Sequence, residues 1–240
     1  MKIPQLRDVY GQAILDHYKG KKAELLTFSS IAGKDELPLS HLFRSFNDMP
    51  KLEQQALSLA KGKVLDIGCG TGSHSLYLQE TGHSVKSIDI SKGAVKVCEL
   101  RGLKNAVCTN FWKLKDEKFD TILSLMNGIG ISGTLSQLPD FLNHLKSILH
   151  DKGQVLMDSS DLIYMYQNEK GEIEPPFNDH YYGEIDFEFE YNGNRSGNFN
   201  WLYIDYFNLE KHAIDAGFNC ELILKGEHYD YLARLTLAQK

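Results

Sequence analysis

An apolar strand that runs into alternating glycines and straight on into a helix constrains this chain more than any other feature: Lys63 to Ile67, then Gly68-Cys69-Gly70-Thr71-Gly72, then Ser73 to Thr81. Glycines let backbone approach a ligand, and the N–H groups of a helix's first turn, which have no partner within the helix, point at it. From Lys63 onward short apolar strands alternate with helices, the signature of βαβ units around a parallel sheet. The pattern predicts strands over Lys63 to Ile67, Ser84 to Ile90, Ala106 to Asn110, Asp120 to Met126 and Gln154 to Asp158. Helices are expected between them: Ser73 to Thr81, Lys92 to Leu100 behind the cap Ser91, and Ser136 to His150, whose Leu138, Phe141, Leu142, Leu145, Ile148 and Leu149 share one face. Gly82, Gly102 and Gly153 stand where left-handed helix terminators are expected.

The flanking segments read differently. Residues 1–60 read as a helical N-terminal extension or lid: Leu6, Val9, Tyr10, Ala13, Ile14 and His17 form one stripe, a second helix starts near Asp48 and Pro50 and runs to Ala60, and Ser29 to Pro38 is a loop. Residues 61–161 form the core. Over 162–207 the alternation stops: Glu172 to Asn178, with two prolines, reads as a surface loop. Glu184 to Tyr191 then alternates acidic and apolar residues as a half-buried strand, and through the turn Asn192-Gly193-Asn194-Arg195-Ser196-Gly197 it makes a hairpin with Phe199 to Ile204. Residues 208–240 supply a closing helix ending at Gly217 and two last strands, Cys220 to Leu224 and Tyr231 to Leu237. With 240 residues, 42% of them hydrophobic, the chain fills one substantial core, and we read a single domain.

No apolar run approaches the roughly 20 residues of a membrane helix, and the N-terminus lacks a secretory pattern, so a cytoplasmic protein without membrane contact is expected. Cys69, Cys98, Cys108 and Cys220 are scattered, without zinc-ligand spacing; free thiols and no metal are expected. A formal charge of −6 argues against nucleic acid as a partner. The basic stretches Lys19 to Lys22 and Lys113 to Lys118 read as solvated loops.

The dinucleotide fingerprint requires a glycine where Ser73 stands, so NAD is disfavoured. Asp66, two residues before the first glycine, places a carboxylate at the end of the strand, which suits an ammonium better than a pyrophosphate. The stretch Val64-Leu65-Asp66-Ile67-Gly68-Cys69-Gly70-Thr71-Gly72 resembles the first motif of class I S-adenosylmethionine (SAM)-dependent methyltransferases. Asp89 ends the second strand about 20 residues on, the spacing at which an acid accepts ribose hydroxyls in nucleotide-binding βαβ units. The resemblance covers about Glu53 to Asp161 and Asn208 to Leu237. It implies an α/β, Rossmann-like, seven-stranded, mostly parallel sheet flanked by helices, with the N-terminal extension and the hairpin added. It also implies SAM as cofactor and S-adenosylhomocysteine (SAH) as product, held by Asp66, Gly68, Cys69, Gly70, Thr71, Gly72, His74, Asp89, Ile90, Asn110, Phe111 and Met126. Many relatives carry an acid where Asn110 stands.

Methyl transfer from a sulfonium releases a neutral leaving group, so alignment and exclusion of water matter most, and a dedicated base is required only if the acceptor carries a proton. Asp158, Asp161 and Asn127 are the catalytic candidates, with Ser159 beside them. Each has an ordinary alternative as a cap or turn former. Arg44, Asn127, Asp158, Asp161, Tyr164 and Trp201 are the acceptor candidates, joined by His41, Tyr166 and Tyr203. Arg44 also reads as an ordinary surface arginine, His74 as a partly exposed structural histidine, and the strand aromatics as core. Asn127-Gly128-Ile129-Gly130 replaces the Asn-Pro-Pro-Tyr type sequence of amino-group methylation on adenine or glutamine. A small molecule methylated on O or N is the favoured acceptor, with a protein acceptor left open. A non-catalytic SAM- or SAH-binding module and an aminopropyl transferase are the alternative readings.

Overall fold

A computed structural model describes residues 7–174 and 180–239. Leu6 and the prolines at 175 and 176 lie outside that set. In chain order the elements are α1 (Val9–Tyr18), β1 (Leu25–Ser29), β2 (Gly33–Leu37), α2 (Lys51–Leu59), β3 (Lys63–Ile67), α3 (Ser73–Glu80), β4 (Ser84–Asp89), α4 (Lys92–Leu100), β5 (Ala106–Cys108), β6 (Phe119–Ser124), α5 (Leu138–Ser147), β7 (Leu149–Ser160), β8 (Glu184–Tyr191), β9 (Asn194–Arg195), β10 (Phe199–Leu202), α6 (Tyr206–Asp215), β11 (Phe218–Lys225) and β12 (Asp230–Leu237). A seven-stranded sheet runs β11-β12-β7-β6-β3-β4-β5, and a second sheet runs β10-β8-β1-β2 with β9 on β8. The pairs β3–β4, β4–β5 and β6–β7 are parallel, whereas β12 is antiparallel to β7 and to β11. This is the expected mostly parallel sheet.

The chain divides into two compact units, one of Met1–Met49, Gly62–Leu114 and Asp186–Phe199, the other of Pro50–Lys61, Lys115–Ile185 and Asn200–Lys240. In the first unit, β3, β4 and β5 are joined by α3 and α4. Ser91 caps α4 as expected, its hydroxyl accepting from the Ala94 N–H at 2.9 Å. Gly82 and Gly102 follow α3 and α4 at φ 91° and 89°. Helix α1 packs Val9, Ala13 and Ile14 against Ala94 and Val97 of α4 in one buried cluster. One side chain fastens both helices: Asp8 accepts from Gly11 N–H of α1 at 3.0 Å and from Gly93 N–H of α4 at 2.9 Å.

The all-helical reading of the N-terminal extension needs correction. The segment expected as a loop, Ser29 to Pro38, holds β2 and the last residue of β1; the two strands pair from Leu25↔Leu37 to Ser29↔Gly33, and β1 pairs with β8. Sequence periodicity misses β2, Gly-Lys-Asp-Glu-Leu, because it is a charged edge strand that buries no face. The expected pairing of β8 with the strand at Phe199, β10, is present, but the connection is not one turn over Asn192 to Gly197: Asn192 and Gly193, both at positive φ, make a two-residue turn into the short strand β9. Within the second unit, Gly153 is not a helix terminator. Helix α5 ends at the cap Ile148, and Gly153 lies inside β7, where a side chain would come within 2.9 Å of the His150 carbonyl. Among the described residues no helix is long and apolar enough to cross a membrane.

Candidate cofactor site

The glycine turn sits between β3 and α3, and its conformation explains its composition. Gly68, Gly70 and Gly72 have φ of 69°, 53° and 81°, the left-handed region in which a Cβ is strained. Gly72 has no room either: a Cβ there would lie 3.0 Å from Cys98 Sγ and 3.3 Å from Leu103. Gly68 and Cys69 donate their N–H groups to the Ile88 carbonyl at 2.9 and 3.0 Å, which seats the turn over β4. Its carbonyls turn into the protein, that of Cys69 accepting from Gly72 N–H at 2.8 Å, that of Gly70 from Cys98 Sγ at 3.3 Å and that of Thr71 from Arg101 at 2.7 Å.

Asp89 comes to this turn from the end of β4. One oxygen accepts from Gly70 N–H at 2.9 Å and the other from Ser91 N–H at 2.8 Å. Burial pushes its carboxyl up to about 6, against those two donors, which favour the ionised form. Asp66 is only 2% exposed. It accepts from Ser75 Oγ at 2.6 Å, and Ser75 accepts in turn from Ser87 Oγ at 2.6 Å. Burial raises its carboxyl above the ordinary range, with His74 pulling the other way. His74, expected partly exposed, is 8% exposed, and so is Arg44, expected at the surface; Arg44 donates Nη1 to the His41 carbonyl at 2.6 Å. The 3₁₀ segment Leu39–Phe43 lies against the turn: its Leu42 carbonyl accepts from Thr71 Oγ1 and, at 2.8 Å, from Ser73 Oγ.

Next to Asp89, Ile90 leaves 58% of its surface exposed, a large apolar face suited to an aromatic base. Phe111 is buried against Trp112. The Asn110 side-chain oxygen caps the following turn by accepting from Trp112 N–H at 2.9 Å. Sequence reasoning missed Tyr10, Cys98 and Arg101. The Tyr10 hydroxyl from α1 lies 3.0 Å from where a Gly70 Cβ would stand, and its proton is held by burial and by Asp89. Cys98 closes on Cys69 at 3.8 Å, although these thiols are 29 residues apart. No sequence signal links these residues to the turn, since each arrives from another element.

The remaining candidates belong to the second unit. Met126 and Asn127 follow β6 in consecutive left-handed conformations, φ 61° and 55°. Their N–H groups donate to Asp158 Oδ2 at 3.1 Å and Oδ1 at 2.7 Å, so the foremost candidate for a base is engaged through both oxygens as a scaffold. Asn127 Oδ1, Ser124 Oγ and Ser132 Oγ are buried without a hydrogen-bond partner. Ser159 Oγ accepts from Ile204 N–H at 2.9 Å. Asp161 caps Ile163 N–H at 2.9 Å and accepts from Tyr182 Oη at 2.7 Å. Tyr166 Oη donates to the Tyr182 carbonyl, while Tyr164 stacks on Tyr229 at 4.8 Å with both rings exposed. The Trp201 indole occupies the space a Gly130 side chain would need, within 2.3 Å. Burial, with Tyr164 and Asp158 nearby, pushes the Tyr203 phenol up to about 12. Among the described residues no group of His, Cys, Asp or Glu could hold a metal ion.

Comparison with known proteins bears on what the turn is for. Residues 65–157 match a family described as methyltransferase domain. A ubiquinone biosynthesis O-methyltransferase of Ralstonia nicotianae is 32% identical over 98 residues, 39% of this chain and 41% of that protein. The chain thus spans less than half the length of that curated relative. A probable cobalt-precorrin-6B C(15)-methyltransferase (decarboxylating) of Saccharolobus solfataricus is 30% identical over half of this chain and 67% of its own length. The crystal structure of a SAM-dependent methyltransferase from Bacteroides fragilis in complex with S-adenosyl-L-homocysteine superposes with a TM-score of 0.91 at 46% identity, covering 100% of this chain and 98% of that one. At that identity from end to end, the chain belongs to the SAM-dependent methyltransferases.

Proposed function

We propose that this protein transfers a methyl group from SAM to an oxygen or nitrogen of a small-molecule acceptor and releases SAH. The observation that carries the reading is the meeting of the Gly70 N–H and the Asp89 carboxylate at 2.9 Å, which puts the expected ribose acid on the glycine turn. Asp89 would accept from the ribose hydroxyls and Ile90 would cover the base. The turn and the start of α3 would take the amino acid end, with Asp66 available to its ammonium. The sulfonium supplies an activated methyl whose departure leaves a neutral thioether. The chain's own task is to hold the donor, orient the acceptor and exclude water. The unpartnered Asn127 Oδ1 supports a role in accepting from the acceptor's O–H or N–H. Asp158 would act by shaping that turn, and the capping and tyrosine contacts of Asp161 support the same kind of role. The two curated relatives are named for methylation at oxygen and at carbon of different compounds, so the acceptor's chemistry is read from this chain's own residues.

Removing the Asp89 carboxylate tests the reading. Asp89→Ala should weaken SAH binding by about 1–3 kcal/mol, the usual loss of charged hydrogen bonds, measured by calorimetry; undiminished affinity would show the ribose to lie elsewhere. The pH dependence follows from the raised pKa. The ionised carboxylate accepts ribose hydroxyls, so SAH affinity should rise with pH up to about 6 and level off above it, with release of about half a proton per SAH bound at that pH and more below it. The unliganded fold shows the opposite trend. Its native pKa of about 6 exceeds the ordinary 3.8, so the native state holds a proton that the unfolded state has lost, and stability falls as pH rises from about 4 to about 6. Urea midpoints with and without SAH across that range check both slopes.

A further inference from the structure

The geometry points to the Cys69–Cys98 thiol pair as an oxidative modification site: hydrogen peroxide joins the two as a disulfide, which deforms the glycine turn and lowers its affinity for the cofactor. The site stands on the two thiols alone, and its effect on affinity rests on the proposed cofactor reading. Cys69 lies within the turn, between Gly68 and Gly70, and Cys98 lies in α4, with their sulfurs 3.8 Å apart. Both are free thiols in one buried cluster with Leu103, Cys98 wholly covered and Cys69 8% exposed.

A disulfide holds its sulfurs about 2 Å apart, so one of them has to travel. Cys98 is fixed in α4, whose Ala94 and Val97 pack on α1. Cys69 is flanked by Gly68 and Gly70, both left-handed and without side chains to resist a change of direction, so the turn is the part that yields. The contacts that seat the turn lie next to that movement. Gly68 and Cys69 N–H donate to the Ile88 carbonyl at 2.9 and 3.0 Å, and Gly70 N–H donates to Asp89 at 2.9 Å. Cys98 gives its thiol proton to the Gly70 carbonyl at 3.3 Å, and a disulfide has no proton to give. Oxidation therefore removes one anchor of the turn and pulls on the residues that hold the others.

Hydrogen peroxide is the only co-reactant the step requires. Cys69, the partly reachable thiol, attacks as thiolate on one peroxide oxygen and becomes a sulfenic acid; hydroxide leaves and takes up the proton the thiol lost. The Cys98 sulfur then attacks the Cys69 sulfur, the S–O bond breaks, and the oxygen departs with the Cys98 proton as water. Two thiols and one peroxide give one disulfide and two waters, with two electrons passing from sulfur to oxygen. The contact with Cys98 and burial hold the Cys69 thiol well above its ordinary range, so thiolate is scarce and the pair responds to sustained oxidant rather than to a brief pulse.

The test uses the full chain carrying Cys108→Ser and Cys220→Ser, which leaves the pair as its thiols. It is compared reduced, after hydrogen peroxide, and after peroxide followed by dithiothreitol. Thiols are counted on the denatured protein, the link is located by peptide mass, and SAH affinity is measured by calorimetry. Peroxide should consume both thiols, give a Cys69–Cys98 peptide two hydrogens lighter than its parts, and weaken SAH about tenfold, within the usual range of coupling between two sites. Dithiothreitol should reverse all three. By linkage, saturating SAH should favour the dithiol by the same factor, a reduction potential about 30 mV higher. Cys69→Ser in the same background cannot form the link, and its SAH affinity should be the same before and after peroxide. Should that variant fail to fold, Cys98→Ser takes its place with the same expectation. Thiols that survive peroxide, oxygen added to sulfur without a link, or a link that leaves SAH binding unchanged would overturn the inference while the cofactor reading stands. A reduced protein that binds no SAH removes the cofactor reading, and the control of affinity with it.

Discussion

Gly93→Ala is expected to destabilise the protein by about 2–3 kcal/mol, the range of an overpacked contact that backbone must relieve. Glycine to alanine within a helix ordinarily stabilises by up to about 1 kcal/mol, so here the sign reverses. The reason is the crossing of α1 over α4: a Cβ on Gly93 would lie 2.3 Å from the Gly11 carbonyl carbon and oxygen and 2.5 Å from its Cα. Backbone cannot rotate away as a side-chain tip does, so α1 has to lift. Lifting it breaks the double cap of Asp8, which holds Gly11 and Gly93 N–H together, and withdraws Tyr10 from Gly70. The same substitution should therefore weaken SAH binding as well. Urea midpoints and SAH titrations of the variant check both effects, and a variant as stable as wild type would show that the helices do not need this contact.

Asp158→Ala carries the second large effect, about 3 kcal/mol or more. Two part-buried N–H groups would lose their acceptor at once, at about 1–3 kcal/mol each, and Met126 and Asn127 would keep their left-handed strain with nothing to hold it. Asp158→Asn separates scaffold from base. An amide offers one oxygen where two N–H groups need acceptors, and its NH2 would confront the second, so the asparagine variant should lose stability and turnover together. An asparagine variant with wild-type thermal unfolding and no activity would contradict the scaffold assignment and make Asp158 a base.

The two variants mark where sequence stops being informative. Elements defined by local periodicity and caps were readable to the residue: β3 at Lys63–Ile67, α4 at Lys92–Leu100 and β8 at Glu184–Tyr191 have the bounds that pattern, cap and turn chemistry predict. Asp66, Asp89 and the three glycines were readable because one strand-turn-helix unit contains the motif and the next strand ends in the acid. Contacts that depend on packing were not. Asp8 looks like an ordinary helix cap until α4 is seen to share it, and Arg101 looks like a solvated helix end. Arg44 and His74 look exposed because nothing in their local sequence reveals their burial. Strand β2 is hidden for a different reason: a charged edge strand has no apolar alternation to detect, and only its pairing with β1 defines it.

The central claim is that the Gly68–Gly72 turn and Asp89 form one adenosyl site, and calorimetric titration of the whole chain with SAH at pH 8, against NADH as the competing ligand class, tests it most directly. Saturable one-to-one binding of SAH that excess NADH does not reduce is the expected result. Absence of heat with SAH, or its displacement by NADH, would contradict it.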